Sequence, residues 1–471
     1  MEMVITSPKN ETSNQQRSPS FREDSVGPSN TDNPPGYGDI NTFLRIAFVL
    51  LSRMGFLLIQ IGSIPVENVY RIIFFNIFEV AIAIISYIGI GYMLTFGDST
   101  VKGFLGYSQT FNFTKMDDGI MGMSAVLLGS GQISCFLVGR CHLVTSLFTS
   151  LLYCGFYQPV LAHWIWNEEG WMKNFDFMAT KVSVKDYAGD LVIHLSSSLT
   201  GAIGASFLGR RLLRIKDLDE RSVAREYAGL TQVGYVLIIL GYAAYNLPSQ
   251  GYEATKMPDN YIALIILNMV AAFSTGVFIT SLLNMCICRR IYNYWSVIRC
   301  LQGGIAGLIS IAAGVDIYDF VECSAIAAIC SIFFFFFSIL IHNTSLEDNC
   351  NFIASHFVSS IFGTVACPII AKKENFESNK KTVHILWQFI CLLIVMIVTI
   401  AFSWFVFLMF ACCKLLRNKE EVMNHRRALI VAKNLPRKGC LQRLFMIDSK
   451  TDHITPGDND RRKYLQEENN K

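Results

Sequence analysis

A chain of 471 residues, 52% of them hydrophobic and only 16% charged, carries too little charge for a soluble domain of its size. Its formal net charge of +3 is small for the length, and no Lys/Arg run interleaves with aromatics, which argues against a nucleic-acid partner. The positive mean hydropathy points instead to a membrane protein.

Residues 1–40 are rich in Ser, Asn, Pro and charge and hold no continuous apolar stretch that could act as a signal peptide, so they read as a disordered tail. From there, apolar stretches of membrane-crossing length alternate with short polar connectors, and eleven spans are predicted: 43–64, 71–96, 118–138, 142–163, 187–209, 228–246, 261–287, 296–315, 321–341, 352–371 and 383–415. The fold class is therefore an all-α polytopic membrane protein, with a transmembrane domain over 41–416 and a cytoplasmic tail over 417–471. The chain has 14 cysteines, most of them in apolar runs, where Cys acts as a small hydrophobe. Cys286 and Cys288 are too close for a zinc knuckle, and neither a metal nor another cofactor is expected.

An odd number of spans puts the termini on opposite sides. The basic clusters at 210–216, Arg289-Arg290 and Lys414 through Lys419 follow spans 5, 7 and 11, and the positive-inside rule makes that side cytoplasmic. The N-terminus is then extracellular, and the sequon Asn112-Phe113-Thr114 falls outside as a glycosylation site. Lys372, Lys373, Lys380 and Lys381, placed outside, and a second sequon at Asn343, placed inside, run against this orientation.

Spans 5 and 10 share the pattern D-x7-H-x2-S-S-x2-G: Asp186, His194, Ser197, Ser198 and Gly201 in one, Asp348, His356, Ser359, Ser360 and Gly363 in the other. Copies five spans apart cross in opposite directions, as two inverted five-helix repeats require. The halves are about 43–209 and 228–371, with span 11 (383–415) as an extra C-terminal helix. Histidine in mid-span is costly unless it faces a cavity or a partner, and the matched pair points to a polar path on which His194 and His356 relay a proton or pass a small solute.

At the outer end of span 5, Asp186 serves as a helix cap, as a source of negative potential for an entering cation, or as both. Trp164 and Trp166 close span 4 as interfacial anchors, or Trp166 holds a cation by cation–π attraction with Tyr245 and Ser249 nearby. Small residues at Gly201, Gly204, Gly303, Gly304 and Gly307 let helices approach closely. Phe333 to Phe337 in span 9 is expected to face lipid or a neighbouring subunit, and Glu79 in span 2 is a candidate partner for Arg53 in span 1.

These residues resemble the ammonium transporter (Amt/Rh) family, over Gly55-Phe56-Leu57-Leu58, Gly62, Glu67-Asn68, the segment Pro159 to Trp166, Asp186-x7-His194, Gly209-Arg210-Arg211, Tyr245-Asn246 and His356. The resemblance implies a homotrimer with one pore per subunit, and ammonium recruited outside and deprotonated on the way in; the sequon makes the plasma membrane the default location. It also implies that His194 and His356 are the paired pore histidines, Trp166 and Ser249 parts of the outer site, and Asp186 the essential aspartate. The sequence departs from the family at the outer gate, where Tyr245 stands at one phenylalanine position and Ala125 near the other, and Asn351 stands where an aspartate is common. Three functions are weighed: ammonium/ammonia transport; a non-conducting ammonium sensor with a modified gate; and a channel for methylamine or carbon dioxide. No Walker A loop, HExxH or supported Ser-His-Asp order is present, so an enzyme is not expected.

Overall fold

A computed structural model describes residues 37–63, 69–99, 102–107, 116–209, 228–248, 261–287, 294–342, 344, 346, 348, 350–371 and 380–418. The predicted N-terminal tail up to residue 36, both sequons at Asn112 and Asn343, the basic residues 210–216, 289 and 290, Ser249, and the tail beyond 418 lie outside the described residues.

Hydrocarbon offers the backbone no hydrogen-bond partners, so each apolar stretch must close its own helical ladder. Among the described residues there is one helix for each predicted span: α1 (Tyr37–Ser63), α2 (Val69–Phe96), α3 (Met116–Leu137), α4 (143–166), α5 (Asp190–Leu208), α6 (Ala228–Tyr245), α7 (Tyr261–Ile287), α8 (Tyr294–Ser310), α9 (Phe320–His342), α10 (Ile353–Ile370) and α11 (Lys381–Cys412). Eight of them, all but α4, α6 and α8, are long and apolar enough to cross a membrane. Four helices contain a π-helical stretch: Tyr87–Gly91 in α2, Tyr153–Tyr157 in α4, Asp190–Leu195 in α5 and Ile353–Val358 in α10. In α4 the cause is legible, because Pro159 follows at once, lacks an N–H and crowds the carbonyl one turn back.

The inverted repeat is visible in the packing. A Cβ built on Gly55 of α1 would meet the Gly234 carbonyl at 2.6 Å and the Ile238 side chain; one on Gly234 of α6 would meet the Gly55 carbonyl at 2.7 Å and the Ile59 side chain. Reciprocal contact of equivalent positions is the mark of a two-fold axis. The backbone repeats it: Gly189 (φ +90°) and Asn351 (φ +56°) both stand left-handed five residues before a histidine, a conformation Gly adopts freely and Asn tolerates. Both aspartates cap their helices as well, Asp186 Oδ2 accepting from Leu191 N at 3.1 Å and Val192 N at 3.2 Å, and Asp348 Oδ2 from Ile353 N at 2.6 Å.

In the second half, Gly276 and Gly307 bring α7 against α8: a Cβ on Gly276 would run into the Gly303 carbonyl, and one on Gly307 would lie 2.5 Å from the Ala272 carbonyl. Gly204 admits Phe407 of α11, the helix outside the repeat, against α5. Buried Arg53 meets Glu79 at 3.3 Å, Ser150 donates to that carboxylate at 3.1 Å, and the expected pairing of α1 with α2 is thus present. The phenylalanine run of α9 is split by helical periodicity: Phe333, Phe336 and Phe337 are exposed, but Phe334 and Phe335 are fully buried, so only part of the run faces outward.

Two small hairpins, β1 (Asp98–Ser99) with β2 (Gly106–Tyr107) and β3 (Phe175–Phe177) with β4 (Thr180–Val182), lie on the connections after α2 and α4. They carry an aromatic roof in which Trp171 stacks on Phe104 with centroids 5.1 Å apart and Phe175 on Trp387 of α11 at 4.6 Å. Trp387 Nε1 donates to the Met172 carbonyl at 3.0 Å and locks α11 to this roof. At the opposite end of α11 the chain turns back onto the connection between α3 and α4, where His142 N donates to the Leu416 carbonyl and Asn418 N to that of Arg140.

Candidate functional site

Both histidines sit on the π-helical opening turns of α5 and α10, where a wide turn displaces the side chains relative to an α-helix. The structure brings them together: His194 and His356 are buried, with ring centroids 5.5 Å apart. Sequence reasoning missed what surrounds them. Gln132 Nε2 of α3 lies 3.2 Å from His194 Nδ1 and 3.0 Å from the Tyr242 hydroxyl of α6, and that hydroxyl lies 2.8 Å from His356 Nε2. His356 Nδ1 is 2.8 Å from Ser355 Oγ, and Ser197 Oγ is 2.5 Å from Gln132 Oε1. A signal existed in the sequence, since Gln132 is an amide in the middle of an apolar span and Tyr242 lies one turn before Tyr245.

Two proton orders fit this network. With the amide NH2 towards His194 and Tyr242, both of its N–H groups donate, Tyr242 donates to His356 Nε2, and the proton of His356 resides on Nδ1 and goes to Ser355, which passes its own to the Asn351 carbonyl at 2.9 Å. Ser197 then has one proton for two acceptors, Gln132 Oε1 and the Ile193 carbonyl at 2.6 Å. Turning the amide over satisfies Ser197 and reverses both tautomers, but Ser355 then faces two acceptors with one proton. With each imidazole neutral, its proton position is coupled through Gln132 in either order.

At the end of α5 that carries Asp186, Trp166 Nε1 donates to the Asp186 carbonyl at 2.7 Å, which joins two of the expected outer-site residues. Asp186 is buried; burial pushes its carboxyl up to about 7, against the pull of the Val192 and Leu191 N–H groups, and Oδ1 has no hydrogen-bond partner among the described residues. Capping of α5 is thus real, and one oxygen remains for another task. Tyr245 is buried at the end of α6, and the Arg45 guanidinium of α1 lies over its ring, 5.8 Å from the centroid. Ala125 is buried in α3, its carbonyl accepting from Gln158 at 3.1 Å. Asp190, one turn beyond Asp186, is fully buried and accepts from Ala313 N at 3.2 Å.

On the other side of the histidines, Phe352 packs against the His356 ring at 4.4 Å between centroids, and edge-to-face against Phe56 and Phe136, each at 6.1 Å. All three phenylalanines are buried. The hydrogen-bonded histidine pair is thus flanked by an aromatic cluster on the His356 side.

Such a bundle, with a polar pair at its repeat interface, defines a polytopic membrane protein of the transporter class. Residues 41–427 match the model of the Ammonium Transporter Family, and the chain belongs to that family. It is 23% identical over 417 residues to a Caenorhabditis elegans protein named "Putative ammonium transporter 1", covering 82% of this chain and 76% of that protein. It is 25% identical over 291 residues to ammonium transporter 3 of Dictyostelium discoideum, covering 58% and 62% respectively. Among solved structures, a protein titled Sensor Amt Protein superposes with a TM-score of 0.70 at 19% identity over 84% of this chain and 98% of that one. Candida albicans Mep2 does so with a TM-score of 0.65 at 16% identity, over 81% and 86%.

Proposed function

We propose that this chain moves ammonium or ammonia across a membrane, taking up ammonium at an outer site of Trp166, Asp186, Tyr245 and Ser249, and passing ammonia along His194 and His356. The observation that carries the reading is the buried pair of imidazoles, contributed by equivalent turns of the two halves and 5.5 Å apart. A neutral imidazole offers one acceptor and one donor nitrogen, which suits a small molecule that can both give and take a hydrogen bond. Tyr245 and Ala125 form the altered gate. A homotrimer in the plasma membrane, N-terminus outside, C-terminus in the cytoplasm and Asn112 glycosylated, completes the proposal.

The test is uptake of labelled methylammonium into liposomes holding the purified chain, beside a variant in which His194 and His356 are both replaced by leucine. Saturable uptake that the double variant loses supports the path. Equal uptake by both rejects it.

A second reading, an ammonium sensor, is favoured by the cluster of Phe56, Phe136 and Phe352, which packs against the histidine pair where a conducting path would continue. The likeness in fold to a protein titled Sensor Amt Protein is in keeping with it. Methylammonium binding without any flux would select this reading. A channel for methylamine or carbon dioxide has no observation in its favour.

A further inference from the structure

Arg45 is a buried cation at the outer site proposed above. It lies in the second turn of the membrane-length stretch of α1 and is 1% exposed, and its guanidinium donates to the Leu247 carbonyl just past the end of α6 and lies 5.8 Å from the Tyr245 ring centroid. Its Nε and Nη1 have no hydrogen-bond partner among the described residues. The charges that act on it are those of Asp117 and Asp118 at the start of α3, both only partly buried, and the phenols of Tyr245 and Tyr187 are its other neighbours.

We propose that Arg45 is a specificity-determining residue, a fixed positive charge at the outer site that disfavours ammonium relative to neutral ammonia, so that the species admitted beyond Tyr245 is uncharged. This rests on the outer site proposed above and names the form of substrate it passes. The guanidinium covers the near face of Tyr245, and a cation seated on the far face would be about 9 Å from it. At an effective dielectric of about 20 the repulsion weakens its binding roughly 20-fold and acidifies it by a similar factor. The released proton returns to the outer solution, because a fixed guanidinium at a pore mouth bars protons and cations alike. Asp117 and Asp118 sit further towards water, so they draw cations to the rim and do not cancel a buried charge beside the ring.

The first experiment measures binding of labelled methylammonium to the purified full chain and to Arg45→Gln and Arg45→Lys. Arg45→Gln is expected to bind at least tenfold more tightly, and Arg45→Lys, which keeps the charge, within a few-fold of wild type. A role confined to tying α1 to α6 would not separate the two. Equal binding by wild type and Arg45→Gln overturns the proposal. The second uses wild type alone, so that a misfolded variant leaves the question answerable: an ammonium pulse applied to liposomes should alkalinise the lumen without a saturating charge movement, and such a charge movement overturns the proposal. If no protein alkalinises the lumen, the transport reading fails, and the binding comparison still decides the role of Arg45.

Discussion

A hydroxyl that bridges an amide and an imidazole couples the ring's proton position to the way the amide faces, and Tyr242 does so for His356. Tyr242→Phe leaves His356 Nε2 buried with no partner, a loss of about 1–3 kcal/mol. Nitrogen NMR of labelled histidine should show His356 shifting its tautomer balance, and methylammonium uptake should fall; an unchanged spectrum would place Tyr242 outside the network. Asp186 makes a pH prediction. Below the ordinary carboxylate range both folded and unfolded chains hold the proton. As pH rises from that range to about 7 the unfolded chain loses it and the folded chain keeps it, so wild type gives up about 1.4 kcal/mol per pH unit across this window and no more above it. Asp186→Asn lacks that slope and keeps an acceptor for the cap. Its melting temperature relative to wild type should therefore climb between pH 5 and pH 7 and level off above; parallel curves would contradict the shift.

Between elements, the close approach of α1 and α6 is the feature most sensitive to a single atom. Gly55→Ala or Gly234→Ala drives a methyl into a carbonyl at 2.6 or 2.7 Å, and backbone cannot step aside as a flexible side chain would. Each should cost about 1–3 kcal/mol in unfolding, read as a lower melting temperature in detergent. Gly229→Ala on the same α6 meets nothing within 4 Å and serves as the neutral control. Arg53 and Glu79 make a different demand on α1 and α2. Glu79→Leu alone strands a buried guanidinium and should cost about 3–5 kcal/mol, whereas Arg53→Met with Glu79→Leu should recover most of it. Equal destabilisation by the single and double variants would show the pair to be uncoupled.

At the scale of the whole molecule, the eleven helices and their division into halves were legible, because span length follows from hydrocarbon thickness and the histidine motif repeats. The histidine pair was legible for the same reason, as were the Asp186 cap and the Arg53 and Glu79 pairing. The partners of the histidines were not: Gln132 and Tyr242 come from α3 and α6, and nothing in linear spacing brings those helices to α5 and α10. Arg45 went unnoticed because a charge in the first turn of a predicted span looks like one that reaches the interface, yet here it is buried. The run at Phe333 to Phe337 was read as one surface, although consecutive helical residues point in different directions.

The mutual insertion of Gly55 and Gly234 bears on the ancestry of the chain. A surface that recognises its own counterpart needs no tether, so a half-length ancestor able to insert in both orientations would have met its own copy along this seam. A fusion of two such halves would have needed only a connector. The present chain should tolerate its removal: two polypeptides ending and starting within 210–227, made together in one cell, should co-purify and melt as one species. Glycine at both positions would then be a relic of self-association, kept because neither half can change its side of the seam alone.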